Sequence, residues 1–450
     1  MRVNKNARQI VALVSASALV AGLAACSTPP ASDTGTAPDS DTGAVENVTI
    51  SFWDDNGGPA RTPVYEELIE RFEAEHPSIT VDYLGLPASD SVLKIETAVA
   101  GGATPDVAIV DGNSLSSLVV QGALLSLEDR YAASDLNGKI GEDALAASRY
   151  SAPNGELYLM PMTGNADVIW YNSELFAEAG VEAPNTYAEF IDAAVSLTDA
   201  DAGQYGFAMR GAAGSTSQLL AEMFACSGVE AFYDANGVST FEDPRFAECV
   251  QQFAGLYRTA TSRADLGYGY PEMIAAFTSG QSAMVRHNLG SAQDHIDALG
   301  DGVAVAVPMP AKDASGERTL IASKSNGPAI FSSSEKQDAA WTFVEFLLSA
   351  ESNSYWNEMA GQIPTNVDAR QAAWVAEAQW VSATVSALSD PTTTVVTPPV
   401  YLPDFGSIVS DAVPDFQAVV LGDKTAQDFL SDLAERLTTA ESEFRAGFVG

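Results

Sequence analysis

Residues 47–58 read NVTISFWDDNGG. Val48, Ile50 and Phe52 alternate with Thr49 and Ser51 as a strand requires, and the run then collapses into Asp54, Asp55, Asn56, Gly57 and Gly58, which read as a loop. Thr62 can cap the helix that follows, Pro63 suits its first turn, and Val64, Leu68 and Phe72 recur every four residues. SITVDYLG (78–85) is the next strand, 92–99 a helix, and PDVAIVDGN (105–113) a buried strand breaking at Asp111-Gly112-Asn113. Strand, helix, strand, helix, strand predicts a mostly parallel sheet with helices on both faces. Ligands of such sheets bind where the carboxyl ends of the strands converge, and the loops WDDNGG and DGNS place hydrogen-bonding side chains there.

Upstream, Arg2, Lys5 and Arg8 form a basic start to an apolar run over 10–23, too short for a membrane span of about twenty residues. It ends in LAAC (23–26), which resembles a bacterial lipobox. The expectation is a signal peptide over 1–25 and a lipid-bearing Cys26 that anchors the chain to the outer face of a bacterial cell membrane. Residues 26–45, rich in Ser, Thr, Pro, Asp and Gly, bury almost nothing and form a disordered tether. The remaining stretch of about 400 residues exceeds what one hydrophobic core serves, so two lobes are expected. Sixty acidic against 22 basic residues, a formal charge of −38, argue against a nucleic-acid partner. Beyond Cys26 the cysteines are Cys226 and Cys249, an even pair in an oxidising compartment, and a disulfide is the expected state.

Further stretches carry a resemblance: RFEAEHPSITVDY, AGGATPDVAIVDGN, QGALLSLED, DVIWYNSELFAEAGVEAPNTYAEFIDAA, YGFAMRG, FTSGQSAMV, AAWTFVEFLLSAESNSYWNEMAGQIPTN and AVVLGDKTAQDFLSDLAERL. In their order and spacing the chain resembles the carbohydrate class of extracellular solute-binding lipoproteins, the family of the maltose-binding protein, which serves ATP-binding-cassette importers. The resemblance implies the two-lobe α/β fold of class II periplasmic binding proteins, each lobe a mostly parallel sheet flanked by helices, joined by a multi-strand hinge. The lobes would comprise 46–162 plus 309–350 and 163–308 plus 351–450. MPMTGN and VPMP would be hinge strands, with a third crossing near Ser349. It also implies a monomer that delivers its solute to an importer's membrane permease by switching from open to closed, with no cofactor.

A sugar offers hydroxyls around apolar C–H faces, so its site needs Asp, Asn or Arg at the edge and an aromatic ring on the face. The family's cleft contacts fall on Trp53, Asp54, Asp55 and Asn56; on Asp111 and Asn113; on Asn165; on Arg210; on Arg286, His287 and Asn288; on Ser325 and Asn326; and on Tyr401, with Asp404 nearby. Each has a plainer reading: Trp53 as core, Asp54 or Asp55 as a helix cap, His287 as a satisfied edge group, Trp170 and Tyr171 as strand packing. AMVRHNLG lacks the tryptophan that many members carry after AM. Stacking would then fall to Trp53, Tyr83, Tyr268, Tyr270 or Tyr401.

An enzyme finds little chemistry here: neither G-x-S-x-G nor H-E-x-x-H occurs. Asp54 or Asp55 with Asp111 could form a glycosidase pair, which keeps a glycan-processing hydrolase open as an alternative. Arg210 and Arg286 keep a charged solute, such as a polyol phosphate, or an osmolyte open as another. Asp199–Gly206 resembles a calcium loop whose twelfth position is Arg210, not Glu, and reads as an acidic turn.

Overall fold

β1 (Val48–Asp54), β2 (Ile79–Gly85) and β3 (Val107–Asp111) are followed by β4 (Thr163–Gly164), β5 (Asp167–Asn172), β6 (Met284–Asn288), β7 (Ala304–Pro308), β8 (Arg318–Ile321), β9 (Asn326–Ile330), β10 (Ile363–Pro364) and β11 (Thr393–Val396). This computed structural model describes residues 47–322 and 325–448. The signal peptide, the tether and Cys26 lie outside the described residues. No helix among the described residues is long and apolar enough to cross a membrane.

The first sheet runs β2-β1-β3-β9, with β1 parallel to β2 and β3, and β9 antiparallel to β3. Its faces are covered on both sides. Ile50, Phe52, Val107 and Ile109 pack with Leu68, Phe72, Phe343 and Leu347 on one face. On the other, Ala108 and Val110 pack with Leu86, Ile95 and Leu118. The helix Thr62–Glu75 buries Val64, Tyr65, Leu68, Ile69 and Phe72, the stripe that its four-residue periodicity predicts.

The second sheet runs β6-β5-β7. Here β5 is antiparallel to both neighbours, while residues 205–209 join β6 through parallel bridges at Tyr205–Ser282 and Ala208–Val285. The expectation of a mostly parallel sheet thus holds for the first lobe and gives way around β5 in the second. The cause is the route of the chain. β5 and β9 each follow a crossing between the two bodies of packing, so each starts at the edge where the other strands end. Ile169 joins a large cluster with Phe190, Phe207, Phe224 and Phe246. Val168 and the fully buried Trp170 join Phe277, Val285 and Val381 behind the sheet. Cys226 and Cys249 are disulfide-bonded, tying the helix Ser215–Ser227 to Pro244–Gly255.

Two crossings fall later than the sequence places them. Past VPMP, Ala311 still exchanges backbone hydrogen bonds with Asn185 and Tyr187, and β8 pairs with β11, so Leu320 stays in the second core. The chain returns to the first lobe between β8 and β9, because the β8–β11 ladder holds it until then. Beyond Ser349, Trp356 is still in the first core, whereas Ile363 is in the second, which puts the third crossing after the helix Ala350–Ala360.

The crossings are clamped to one another. Met160 and Met162 donate backbone N–H bonds to Pro328 and Asn326, and a Cβ at Gly327 would lie 1.9 Å from Met160 O, so glycine permits that approach. Asn353 and Asn357, both 0% exposed, donate side-chain bonds to Met162 O, and Thr365 donates to Pro161 O. β4 and β10 then pair antiparallel. Buried amide donors paired in this way specify one register, since slippage would orphan them.

Candidate functional site

At one edge of the first sheet three parallel strands end and β9 begins, Asp111 pairing directly with Asn326. Asp54 is fully buried. Its carboxylate takes Arg61 at 2.9 Å, Tyr83 OH at 3.1 Å and the Asn56 N–H at 3.2 Å. Asp55 lies 3.3 Å from Arg61 Nη1 and accepts from Asn326 Nδ2 at 3.3 Å. Burial pushes the Asp55 carboxyl up to about 6, opposed by Arg61 and aided by the negative charges of Asp54 and Asp111. Asp111 caps the helix Gly112–Val120 by accepting from Asn113 N–H at 2.8 Å, and Asn113 Oδ1 is buried without a hydrogen-bond partner among the described residues. The Ser325 carbonyl accepts from Gly112 N–H. Asn56 is exposed. Trp53 is half-buried against the cluster behind the sheet, with Lys94 Nζ 6.0 Å from its ring.

The sequence reading missed Arg61, which joins Asp54 to Asp55 and lies 5.4 Å over the Trp356 ring. Its signal was legible. A cation just ahead of a helix opposes the helix dipole, so it asks for carboxylates nearby, and Asp54 and Asp55 lie seven and six residues before it at the end of the preceding strand.

The edge of the second sheet at which β5 begins is built differently. Asp167 pairs with Asn288, and the parallel bridge Ala208–Val285 carries Arg210 to the level of His287 two residues on. Arg286, 1% exposed, reaches Asp167 at 2.6 Å and Glu222 at 3.6 Å. Burial pushes Glu222 up to about 7 against the pull of Arg286. His287 packs against Tyr270 in a tilted pair with ring centroids 4.8 Å apart, and burial, then Arg210 and Arg286, lower it to about 3, so its imidazole is neutral. Tyr270 donates to Asp294.

Other expected residues have duties within the fold. Asn165 Oδ1 accepts from Ala166 and Leu289 N–H groups, and Asn288 Oδ1 from Gly290 N–H. Tyr401 donates to Glu441 at 2.7 Å and packs between Tyr150 and Phe444, which directs its ring to an aromatic cluster. Asp404 precedes the helix Phe405–Asp411, and Ser407 donates to its carbonyl. Asp199 forms a turn, accepting from Ala202 N–H with its side chain and pairing with Gln204 through its backbone. The lobes also touch away from the crossings, where Ser116 Oγ donates to Tyr401 O at 2.5 Å. Each edge thus carries both carboxylates and a guanidinium: Asp54, Asp55 and Asp111 with Arg61 on the first sheet, and Asp167 and Glu222 with Arg286 on the second.

Residues 58–354 match the bacterial extracellular solute-binding protein family. A putative ABC transporter periplasmic-binding protein of Escherichia coli K12, YcjN, is 24% identical over 88% of this chain and 89% of its own. Among solved structures, the GacH receptor of Streptomyces glaucescens, studied with acarbose, is 22% identical, covers 88% of this chain and 99% of its own, and superposes with a TM-score of 0.76. Maltose-bound MalE3 of T. maritima is 20% identical over 87% of this chain and 99% of its own, with a TM-score of 0.76. These likenesses show the two-lobe binding-protein fold.

Proposed function

We propose, on the premise that this chain belongs to the bacterial extracellular solute-binding protein family, that it captures a sugar or oligosaccharide between its lobes and hands it to an ABC permease. The observation that carries this reading is the convergence of polar strand ends: Asp55, Asp111 and Asn326 at one edge, Arg210, His287 and Asp167 at the other. The acarbose and maltose complexes of the structural neighbours support a sugar over other polar solutes.

In this reading the lobes comprise 47–159 with 326–360 and 165–322 with 363–448, and the clamped crossings between them form the hinge. Ligand that bonds both edges favours the closed state by its differential affinity. Asp55, with its carboxyl pushed up to about 6, and Asn326 accept and donate to hydroxyls on one side, and Arg210 donates on the other. An epimer with one misplaced hydroxyl leaves a buried group unpaired, at about 1–3 kcal/mol. The protein acts as a binding monomer and not as an enzyme, and lipid on Cys26 holds it at the outer face of the membrane.

A thermal-shift and calorimetric screen of the full chain against mono- and oligosaccharides tests this, because a ligand of the native state raises stability by mass action. The expected result is one-to-one binding with no product formed. Turnover of a glycan, or a screen in which no sugar binds, would sink it.

A further inference from the structure

The two arginines at the second-lobe edge differ in what balances them. Arg286 is matched by Asp167 at 2.6 Å and Glu222 at 3.6 Å. Arg210, partly buried at the same edge, has no carboxylate within 4.0 Å among the described residues. Its head group is nonetheless held in place. Nε donates to Ala213 O at 2.5 Å, and the guanidinium lies where a side chain on residue 214 would stand: a Cβ on Gly214 would be 2.4 Å from Arg210 Cζ. That bond engages Nε, while Nη1 and Nη2 form no hydrogen bond to a described residue.

Beside it, His287 Nδ1 is buried and also lacks a hydrogen-bond partner among the described residues. A guanidinium cannot shed its proton in a protein, and although Asp167 acts on Arg210 from a distance, that carboxylate is directly paired with Arg286, so burial and the like charge of Arg286 leave Arg210 under-compensated until an anion arrives. At the first-lobe edge the Arg61 guanidinium is already engaged by Asp54 and Asp55, which leaves Arg210 the better placed to receive that anion. Arginine's planar fork suits carboxylate and phosphate oxygens in two-point contact.

We propose that the captured sugar carries an anionic group, a carboxylate or a phosphate, which docks on the Nη groups of Arg210 beside His287 while its hydroxyls face Asp55 and Asn326. This rests on the sugar-capture reading and narrows its substrate class to acidic sugars.

The test uses matched sets on the full chain, by calorimetry: glucose, glucuronate and glucose 6-phosphate; galactose, galacturonate and galactose 6-phosphate; and the neutral and uronic disaccharides. One acidic member should bind at least tenfold more tightly than its neutral counterpart and weaken as salt is raised, and the tighter arm identifies carboxylate or phosphate as the source of the charge. Arg210→Gln should cost the acidic ligand tenfold or more and any neutral sugar under threefold, with Arg210→Lys intermediate. Should Arg210→Gln fail to fold, the wild-type sets and Arg210→Lys still decide. A neutral sugar that binds as tightly as its acidic partners overturns this inference and leaves sugar capture standing. Binding of none of the sugars, acidic or neutral, overturns both.

Discussion

At the first-lobe edge Asp54 and Asp55 gather on the guanidinium of Arg61, and Asp111 is close enough to disfavour the charge on Asp55. At the second-lobe edge Arg210 and Arg286 face Asp167 and Glu222, and Glu222 is pushed up to about 7 by burial. The first edge is tied to its own loops. Asp54 and Asp111 each accept the backbone N–H two residues ahead, so strand end and charge are positioned by the same few residues. The second edge is tied across the chain: Arg286 reaches back 119 residues to Asp167, and Gln218 donates to the Arg286 carbonyl from 68 residues away. One edge is built by local turns and the other by tertiary packing, so they should fail differently.

The strongest break is Arg61→Met. It leaves the carboxylate of Asp54, 0% exposed, without its cation, and breaking a buried pair in this way costs about 3–5 kcal/mol. Urea denaturation should show that loss, centred on the first lobe. Replacing both Cys226 and Cys249 by Ala attacks the other side, since the bond closes a 23-residue separation within the second lobe and contributes about 3 kcal/mol in the chain-entropy model. Hydrogen exchange should then rise in the helices Ser215–Ser227 and Pro244–Gly255 and leave the first sheet protected. An equal rise in both lobes would remove the contrast.

Glu222 sharpens the comparison through pH. Its folded pKa is raised above the unfolded value, so its contribution is fully present below about pH 4 and is lost as pH rises through about 7. Relative to wild type, Glu222→Gln should gain on the order of 3 kcal/mol between pH 4.5 and pH 8, read as midpoints of denaturation across that range. A flat difference would mean that Arg286 and not burial governs the site. The smallest effect is Ser116→Ala, which removes the hydrogen bond to Tyr401 O between the lobes. A loss of about 1 kcal/mol from the closed form is expected, visible as a larger radius of gyration in small-angle scattering of the ligand-free protein. An unchanged radius would show that this contact does not hold the lobes together.

Legibility followed the same division. The alternation of Val48, Ile50 and Phe52 and the buried run Val107–Asp111 announce strands, because side-chain direction in a strand depends on neighbours one and two residues away. Asp55 and Asp111 could be placed at a strand edge for the same reason. The destinations of Asn165 and Tyr401 could not be read off. Their side chains are claimed by Leu289 and Glu441, which lie 124 and 40 residues away in the chain. The crossings were misplaced by the same logic, since VPMP resembles a hinge strand locally while the β8–β11 ladder keeps the chain in the second lobe.

The order of strands and helices, the acid-rich loop after β1 and the pairing of two cysteines were therefore determined by the sequence itself, through short-range periodicity and residue chemistry. The reversed direction of β5, the partnership of Arg286 with Asp167 and Glu222, and the open donors of Arg210 were decided by the tertiary structure. Those depend on which distant segments come to lie side by side, and burial then sets which charges are balanced.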